Sequence, residues 1–226
     1  MHTVYFDLDG TLVEFDRPYA RLYERALERL GVDAHEGDVY AERFFEVLGE
    51  AADPYATAIE ATNVAVDPVA FSESIRTVEV EHTVAVPGAF AVLESLRGTR
   101  ALGVLTNGLG DLQRAKLEAV DLVTLLDDIV VADEVGAWKP DPELYRVAED
   151  RLPATTYTFV ADDLERDVRP AIECGWRGIY VDPERTDHAV DERDRRANTY
   201  GDADEWNAGR GRVHWAASLA DCLEYL

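Results

Sequence analysis

Short apolar runs recur along the chain, and most of them are followed by a segment whose apolar residues repeat at helical spacing. Five runs predict buried strands, at residues 4–6, 101–105, 128–132, 156–160 and 178–181. A strand that is buried on both faces typically has such a continuous apolar sequence. The alternation of strands and helices after residue 87 predicts an α/β fold with a parallel sheet, right-handed crossovers and flanking helices.

Residues 14–86 interrupt this alternation. Their apolar positions follow helical spacing in four successive segments, at residues 15–30, 39–48, 54–62 and 68–80, and no strand is predicted between them. Pro87 and Gly88 then mark the return to the alternating pattern. We therefore expect a core formed by residues 1–13 and 87–226, with a small helical domain, residues 14–86, inserted after the first strand.

The C-terminal part of the chain is less regular. Residues 183–211 are rich in Asp, Arg and Gly and lack apolar periodicity, which predicts a long surface loop. Residues 212–215 are a candidate edge strand. Apolar residues at helical spacing then predict a final segment that closes the core, namely Leu219, Cys222, Leu223 and Leu226.

The charge balance of the 226-residue chain is strongly acidic, with 46 acids against 22 bases and a net charge of −24. This field argues against a nucleic-acid partner, which a basic surface would attract. The acids are spread over the whole sequence, and Lys116 and Lys139 are the only two lysines. Such a composition resembles that of proteins from salt-accumulating halophiles, so we expect the fold to lose stability in low salt.

From the remaining composition we expect a cytoplasmic protein without a membrane partner. No apolar run approaches the roughly 18 residues of a membrane-spanning helix, and the N-terminus enters the first strand without a signal-peptide pattern. Cys174 and Cys222 are too few and too far apart for a disulfide framework. The sequence leaves open whether the protein is a monomer or a homodimer.

Polar side chains follow four of the predicted strands at the point where each one ends. They are Asp7 and Asp9, then Thr106 and Asn107, then Lys139 in the loop after the third of these strands, and finally Asp162, Asp163 and Asp167. In a parallel sheet these ends lie on one edge, so the side chains can converge on a single cleft. Two acids at one strand tip are costly unless a cation lies between them, which suggests a divalent-metal site with a nucleophilic carboxylate. Taken alone, the first pair could also be an ordinary polar exit from a strand.

The set as a whole resembles the four motifs of the haloacid dehalogenase superfamily, in order. The corresponding segments are residues 7–11 (DLDGT), 105–108 (LTNG), 135–142 (VGAWKPDP, with Lys139) and 160–168 (VADDLERDV). The resemblance covers residues 4–182. It implies a Rossmann-like core, and the helical insertion resembles the all-helical cap of this family.

This resemblance implies a role for each residue. Asp7 would be the nucleophile that forms an aspartyl-phosphate, and Asp9 the general acid and base. Mg²⁺ would be held by Asp7, Asp162 and the backbone carbonyl of Asp9. Lys139 would neutralise the nucleophile and the phosphate. Thr106 and Asn107 would bind the phosphate, and Asp167 would brace Lys139 or metal-bound water. Asp163 would be either a metal or second-layer ligand or a neighbour without a role. Lys116 has no comparable context, and we expect it at an ordinary position on a helix surface.

The acid at position 9 favours one reaction over its relatives. An alkoxide that leaves a phosphate ester needs a proton, whereas a departing halide does not, so Asp9 favours a phosphatase over a 2-haloacid dehalogenase. A phosphomutase, or a non-catalytic binding protein on the same fold, remains an alternative. We expect Mg²⁺-dependent hydrolysis of a small phosphorylated metabolite, with specificity set by the insertion, particularly by residues 14–23 and 42–46.

Overall fold

The computed structural model describes residues 1–182 and 213–226. In chain order its strands are β1 (His2–Phe6), β2 (Val13–Phe15), β3 (Thr83–Ala85), β4 (Ala101–Thr106), β5 (Asp128–Val131), β6 (Thr156–Ala161), β7 (Arg177–Val181) and β8 (Val213–Ala216). Its helices are α1 (Tyr19–Arg29), α2 (Gly37–Val47), α3 (Pro54–Glu60), α4 (Pro68–Glu81), α5 (Ala89–Leu96), α6 (Gly110–Ala119), α7 (Ala132–Val135), α8 (Pro142–Arg151) and α9 (Arg169–Glu173).

Six of these strands form one parallel sheet in the order β5–β4–β1–β6–β7–β8. The first strand lies inside the sheet, and Val4, Tyr5 and Phe6 are fully buried because helices cover both of its faces. The predicted α/β fold with a parallel sheet and flanking helices is therefore confirmed. Phe6 pairs with Val104 on β4 and with Val160 on β6, so the carboxyl ends of these three strands lie side by side.

The insertion lies between two short strands that the sequence pattern does not predict. β2 and β3 pair antiparallel, with Val13 opposite Ala85, and the expected boundary between residues 13 and 14 falls inside β2. Three-residue strands are too short to show a period of two. The helices α1 to α4 follow the four predicted segments and bury their own apolar cluster, which also contains Leu112 of α6.

Two C-terminal expectations are changed by the structure. The helix that the alternating pattern predicts after the strand at residues 156–160 begins as a π-helical turn, Leu164–Val168, and continues as α9. The final segment is a 3₁₀ helix, Ala220–Glu224, in which Cys222 is buried but Leu223 is 40% exposed. Leu223 therefore does not close the core. The candidate edge strand is confirmed as β8, whereas the loop predicted at residues 183–211 lies outside the described residues.

Within the described ranges, every helix is too short or too polar to cross a membrane.

Candidate active site

The loop after β1 places Asp7 at the centre of the sheet edge. The backbone N–H of Asp7 donates to the carbonyl of Val160 at 2.9 Å, which continues the pairing with β6 beyond the end of β1. Gly10 then turns the chain with a φ of 83°, a conformation that favours glycine. The Asp7 carboxylate is largely buried.

Lys139 lies between two carboxylates of this edge. Its Nζ donates to Asp7 Oδ1 at 2.7 Å and lies 2.8 Å from Asp167 Oδ1. Burial alone would lower the pKa of Lys139, but Asp7 and Asp167 outweigh it and hold that pKa above its ordinary value. Lys139 is therefore positively charged next to Asp7 at neutral pH, and Asp167 is its second partner.

Asn107 fixes the backbone of Lys139. The Asn107 Oδ1 atom accepts from the backbone N–H of Lys139 at 2.8 Å, and its Nδ2 donates to the Lys139 carbonyl at 3.2 Å. The Asn107 side chain thus ties the end of β4 to the loop after α7. The expected contact of Asn107 with the phosphate stays a prediction. Thr106 is buried, and its hydroxyl donates to the Asn107 carbonyl at 2.9 Å.

Asp162 is held beside the β1 loop by Thr11, a residue that the motif comparison did not single out. The Thr11 hydroxyl donates to Asp162 Oδ1 at 2.9 Å and accepts from the Asp162 backbone N–H at 3.1 Å. Burial and the nearby Asp7 carboxylate raise the pKa of Asp162 to about 6. A cation between these two carboxylates would offset that repulsion, so the donor set is suited to a metal ion.

Asp163 also lines the cavity, but its carboxylate is engaged by the turn that follows β6. Its carboxylate accepts from the backbone N–H groups of Glu165 and Arg166 at 3.0 and 2.8 Å and so caps the π-helical turn. The guanidinium of Arg166 lies 3.4 Å from the same carboxylate. These contacts give Asp163 a structural role at the start of the turn, and no metal ligand is implied by them.

The expectation that Lys116 is an ordinary surface residue is wrong. Its side chain is 6% exposed, and its Nζ lies 3.0 Å from Asp9 Oδ1 and 3.1 Å from Glu79 Oε2. Burial would lower the pKa of Lys116, but Asp9 and Glu79 raise it above its usual value. The helical periodicity of α6 does not reveal this, because the partners come from the β1 loop and from α4.

Gln113, one turn before Lys116 on α6, completes the environment of Asp9. Its Nε2 donates to Asp9 Oδ2 at 2.7 Å and is 3.0 Å from the hydroxyl of Thr106. Both carboxylate oxygens of Asp9 are thus engaged by side chains of α6. Sequence reasoning missed Gln113 and Glu79; the one available signal was the scarcity of lysine, which points to Lys116 as much as to Lys139.

Within the described part of the chain, no three His, Cys, Asp or Glu side chains are grouped as a ready metal-ligand cluster. This agrees with the position of Asp9, whose carboxylate is turned toward α6. Asp7 and Asp162 remain as two neighbouring carboxylates. Mg²⁺ is often bound by only one or two carboxylates and keeps several waters, so these two residues fit it.

These residues line a cavity of about 330 Å³ that opens from the sheet edge toward the insertion. Asp7, Asp162 and Lys139 lie at its sheet end. Its other walls are mainly apolar and include residues from both stretches in which we expected specificity, among them Tyr19 and Phe45.

Comparison with known proteins identifies the family. A family model described as haloacid dehalogenase-like hydrolase matches residues 1–175. The chain belongs to the haloacid dehalogenase-like hydrolases. One relative among these hydrolases, abbreviated HAD, is the phosphoserine phosphatase of Thermus thermophilus. It is 39% identical to this chain over 99 residues, which cover 42% of this chain and 40% of that protein.

Solved structures show the same fold. The protein YfnB of Bacillus subtilis, whose crystals contain bound magnesium, matches with a TM-score of 0.65 at 19% identity and covers 82% of this chain and 90% of its own. The L-2-haloacid dehalogenase of Xanthobacter autotrophicus matches with a TM-score of 0.67 at 21% identity, over 99% of this chain and 98% of that one. Because HAD relatives include a phosphatase and a dehalogenase, the fold leaves the reaction to be decided by the site.

Proposed function

We propose that this HAD hydrolase is a Mg²⁺-dependent phosphomonoesterase that acts through an aspartyl-phosphate intermediate. The observation that carries the proposal is the second acid. Asp9 lines the same cavity as Asp7, and Gln113 and Lys116 hold both of its carboxylate oxygens. A hydrolase that expels halide has no use for a proton donor at this point, whereas an alkoxide leaving group requires one.

In the first half-reaction Asp7 attacks phosphorus, and the bond from phosphorus to the alcohol oxygen breaks. Asp9 gives its proton to that oxygen, so the product leaves as a neutral alcohol. In the second half-reaction Asp9 takes a proton from a water that attacks the phosphorus of the aspartyl-phosphate. Inorganic phosphate is released, and the Asp7 carboxylate is restored.

Positive charge around the phosphoryl group comes from two sources. Lys139, 2.7 Å from Asp7, supplies one charge that does not depend on a bound ion. Asp7, Asp162 and the backbone carbonyl of Asp9 would hold Mg²⁺, which when bound would neutralise charge on the phosphoryl oxygens. Local cations are needed because a chain with a net charge of −24 repels phosphate esters.

Thr106 and the backbone N–H of Asn107 are proposed to bind the phosphate. The Thr106 hydroxyl can turn from the Asn107 carbonyl to an equatorial phosphate oxygen, since a hydroxyl both donates and accepts. Asn107 lies shortly before the N-terminus of α6, where the helix dipole favours an anion. Asp167 acts through Lys139, which it holds at 2.8 Å.

The deciding experiment is hydrolysis of p-nitrophenyl phosphate in high salt, with Mg²⁺ and with EDTA. We expect turnover with Mg²⁺ and a loss of several orders of magnitude in Asp7→Asn. Asp150→Asn, an exposed aspartate on α8, is the matched control and should retain the wild-type rate. Equal rates for wild type and Asp7→Asn would reject the nucleophile. Halide release from a 2-haloacid by the wild type would favour a dehalogenase, and transfer of the phosphoryl group to a second hydroxyl of a sugar phosphate would favour a mutase.

A further inference from the structure

The wall of the cavity opposite the sheet edge is built from aromatic rings. Five of them come from β2, α1, α2 and α3, namely Phe15, Tyr19, Phe44, Phe45 and Tyr55. The ring centres of Phe44 and Tyr55 are 4.7 Å apart, and the ring centres of Phe15 and Tyr19 are 6.0 Å apart. The part of the substrate that lies beyond the phosphate therefore meets ring faces and edges.

The polar atoms of this wall are already engaged. The hydroxyls of Tyr19 and Tyr55 donate to the two carboxylate oxygens of Glu79, at 3.0 and 3.2 Å. Glu79 in turn pairs with Lys116. The tyrosines consequently present their rings to the cavity, and the Glu79 charge is compensated within the protein.

The cations that line the cavity are paired as well. Among the described residues they are Lys116, Lys139 and Arg166. Lys139 contacts two carboxylates, and Lys116 likewise contacts two. Arg166, on the rim, pairs with Asp163. A leaving group that carries its own carboxylate or a second phosphate would find no uncommitted positive charge in the described walls.

Phe45 stands out among the five rings by its exposure. Its side chain lines the cavity, yet the residue is 66% exposed, and its ring centre is 5.7 Å from that of Phe44. Together with its apolar neighbours in the cavity wall, the exposed Phe45 ring forms a surface that the apolar part of a ligand can cover. A flat ring of the ligand stacked on Phe45 would remove the Phe45 side chain from water.

We propose that the alcohol released by this enzyme is uncharged and carries a flat aromatic ring, as does the nucleoside released from a nucleoside monophosphate. This inference rests on the proposed phosphatase activity. The phosphate lies at Asp7 and Lys139, and the ring lies against Phe45 and its aromatic neighbours. The cavity volume of about 330 Å³ is at the small end of the range of roughly 300–1,000 Å³ for small-molecule sites, which suits a mononucleotide.

The test compares uridine 5′-monophosphate with ribose 5-phosphate and phosphoserine. The first two share the phosphate and the sugar and differ in the base. We expect kcat/KM for the nucleotide to exceed that for ribose 5-phosphate by about 5- to 150-fold, the range that stacking of one base on an aromatic side chain provides. Phosphoserine should be the poorest substrate. Equal values for the first two, or a preference for phosphoserine, would overturn the proposal.

Two variants test whether Phe45 provides the contact with the base. Phe45→Ala should reduce the advantage of the nucleotide over ribose 5-phosphate by about tenfold. Val39→Ala, on the same helix and 44% exposed but outside the cavity, should leave the ratio unchanged. An unchanged ratio in Phe45→Ala would reject this ring as the contact. If the wild type hydrolyses neither these esters nor p-nitrophenyl phosphate, the phosphatase proposal itself fails.

A second inference rests on the buried charges around Lys116. Burying a charged lysine is costly and is repaid only by well-placed partners. Here the Nζ atom lies between Asp9 of the β1 loop and Glu79 of α4, and the ring of Phe15 lies 5.1 Å away. A surface lysine would need none of these contacts.

We infer that Lys116 is a positioning residue for the proton transfer that Asp9 performs. With Gln113 it fixes the plane of the Asp9 carboxylate, and through Glu79 it ties that carboxylate to α4 of the insertion. This role also rests on the proposed function. It predicts that loss of Lys116 affects esters whose leaving oxygen needs a proton more than esters whose leaving group departs without one.

The test uses the double variant Lys116→Met with Glu79→Gln, which removes both opposite charges and so avoids an isolated buried carboxylate. We expect kcat/KM to fall by about 100-fold for an alkyl phosphate such as β-glycerophosphate, and by less than about tenfold for p-nitrophenyl phosphate. Circular dichroism checks the fold. A folded double variant with wild-type activity toward both esters, or an equal loss for both, would overturn the inference. Wild type that hydrolyses neither ester would instead reject the phosphatase.

Discussion

Gly10 and Asp162 are so close that no side chain fits between them. A Cβ atom added to Gly10 would lie 2.1 Å from Asp162 Oδ2, and Gly10 adopts a positive φ of 83°. The glycine after the two acids of the first motif therefore makes room for a carboxylate from a strand that lies some 150 residues away in the sequence. Because Asp162 is the proposed metal ligand opposite Asp7, Gly10 determines whether the two carboxylates can share one ion.

Gly10→Ala should weaken Mg²⁺ binding. The added methyl group must displace the Asp162 carboxylate, so we expect the Mg²⁺ concentration that gives half-maximal activity to rise by about tenfold or more. Titration of p-nitrophenyl phosphate hydrolysis with Mg²⁺ measures it. Gly31→Ala is the control, since Gly31 also has a positive φ, 72°, but has nothing within 4 Å of an added Cβ. If the two variants behaved alike, the close approach to Asp162 would have no functional role.

Thr11→Val should also weaken Mg²⁺ binding. Valine keeps the shape of threonine but loses the hydroxyl that contacts both the carboxylate and the backbone N–H of Asp162. Removing a hydrogen bond to a metal ligand commonly costs about 10- to 100-fold in metal affinity or activity. The Mg²⁺ titration above measures this, and Thr11→Ser should restore the wild-type curve. A normal curve for Thr11→Val would mean that Asp162 needs no such support.

Lys139→Met should destabilise the protein as well as inactivate it. The substitution leaves the buried carboxylates of Asp7 and Asp167 without a counter-charge, which typically costs about 3–5 kcal/mol in the free energy of unfolding. Combining it with Asp167→Asn removes one of the two acids and should recover part of this loss without restoring turnover. Urea unfolding in high salt, together with activity measurements, separates the two effects. An active Lys139→Met enzyme of wild-type stability would contradict both roles.

The acidic surface predicts a strong dependence on salt. At a net charge of −24, repulsion among surface acids acts over about 10 Å in 0.1 M salt but over only about 3 Å in 1 M salt. We expect the thermal unfolding midpoint, followed by circular dichroism, to rise steeply between these KCl concentrations. Sucrose, which stabilises proteins without screening charge, serves as the control. A midpoint that did not change with KCl would argue against a halophilic protein.

The main sheet and its reactive edge could be predicted because they depend on local patterns. Val4, Tyr5 and Phe6 form a continuous apolar run, and polar residues can follow such a run only where the strand leaves the sheet. The order of the motifs then implies one shared edge, since parallel strands end on the same side. In the structure, Asp7 does meet Lys139 there, at 2.7 Å.

The neighbours of Asp9 could not be predicted in the same way. Lys116 lies on a helix with an unremarkable periodicity, and it becomes buried only because α4 of the insertion brings Glu79 against it. The aromatic wall has the same origin, since Phe15, Phe44 and Tyr55 are each typical core residues of separate helical or strand segments. Their common cavity depends on how the insertion packs on the core.

The sequence by itself therefore determined the α/β core, the place of the insertion and the residues at the strand ends, because hydrophobic period and strand direction are local properties. Only the tertiary structure decided the partners of Asp9, the support of Asp162 by Gly10 and Thr11, and the aromatic character of the cavity. These features depend on distances between segments far apart in the chain, and no local pattern encodes such a distance.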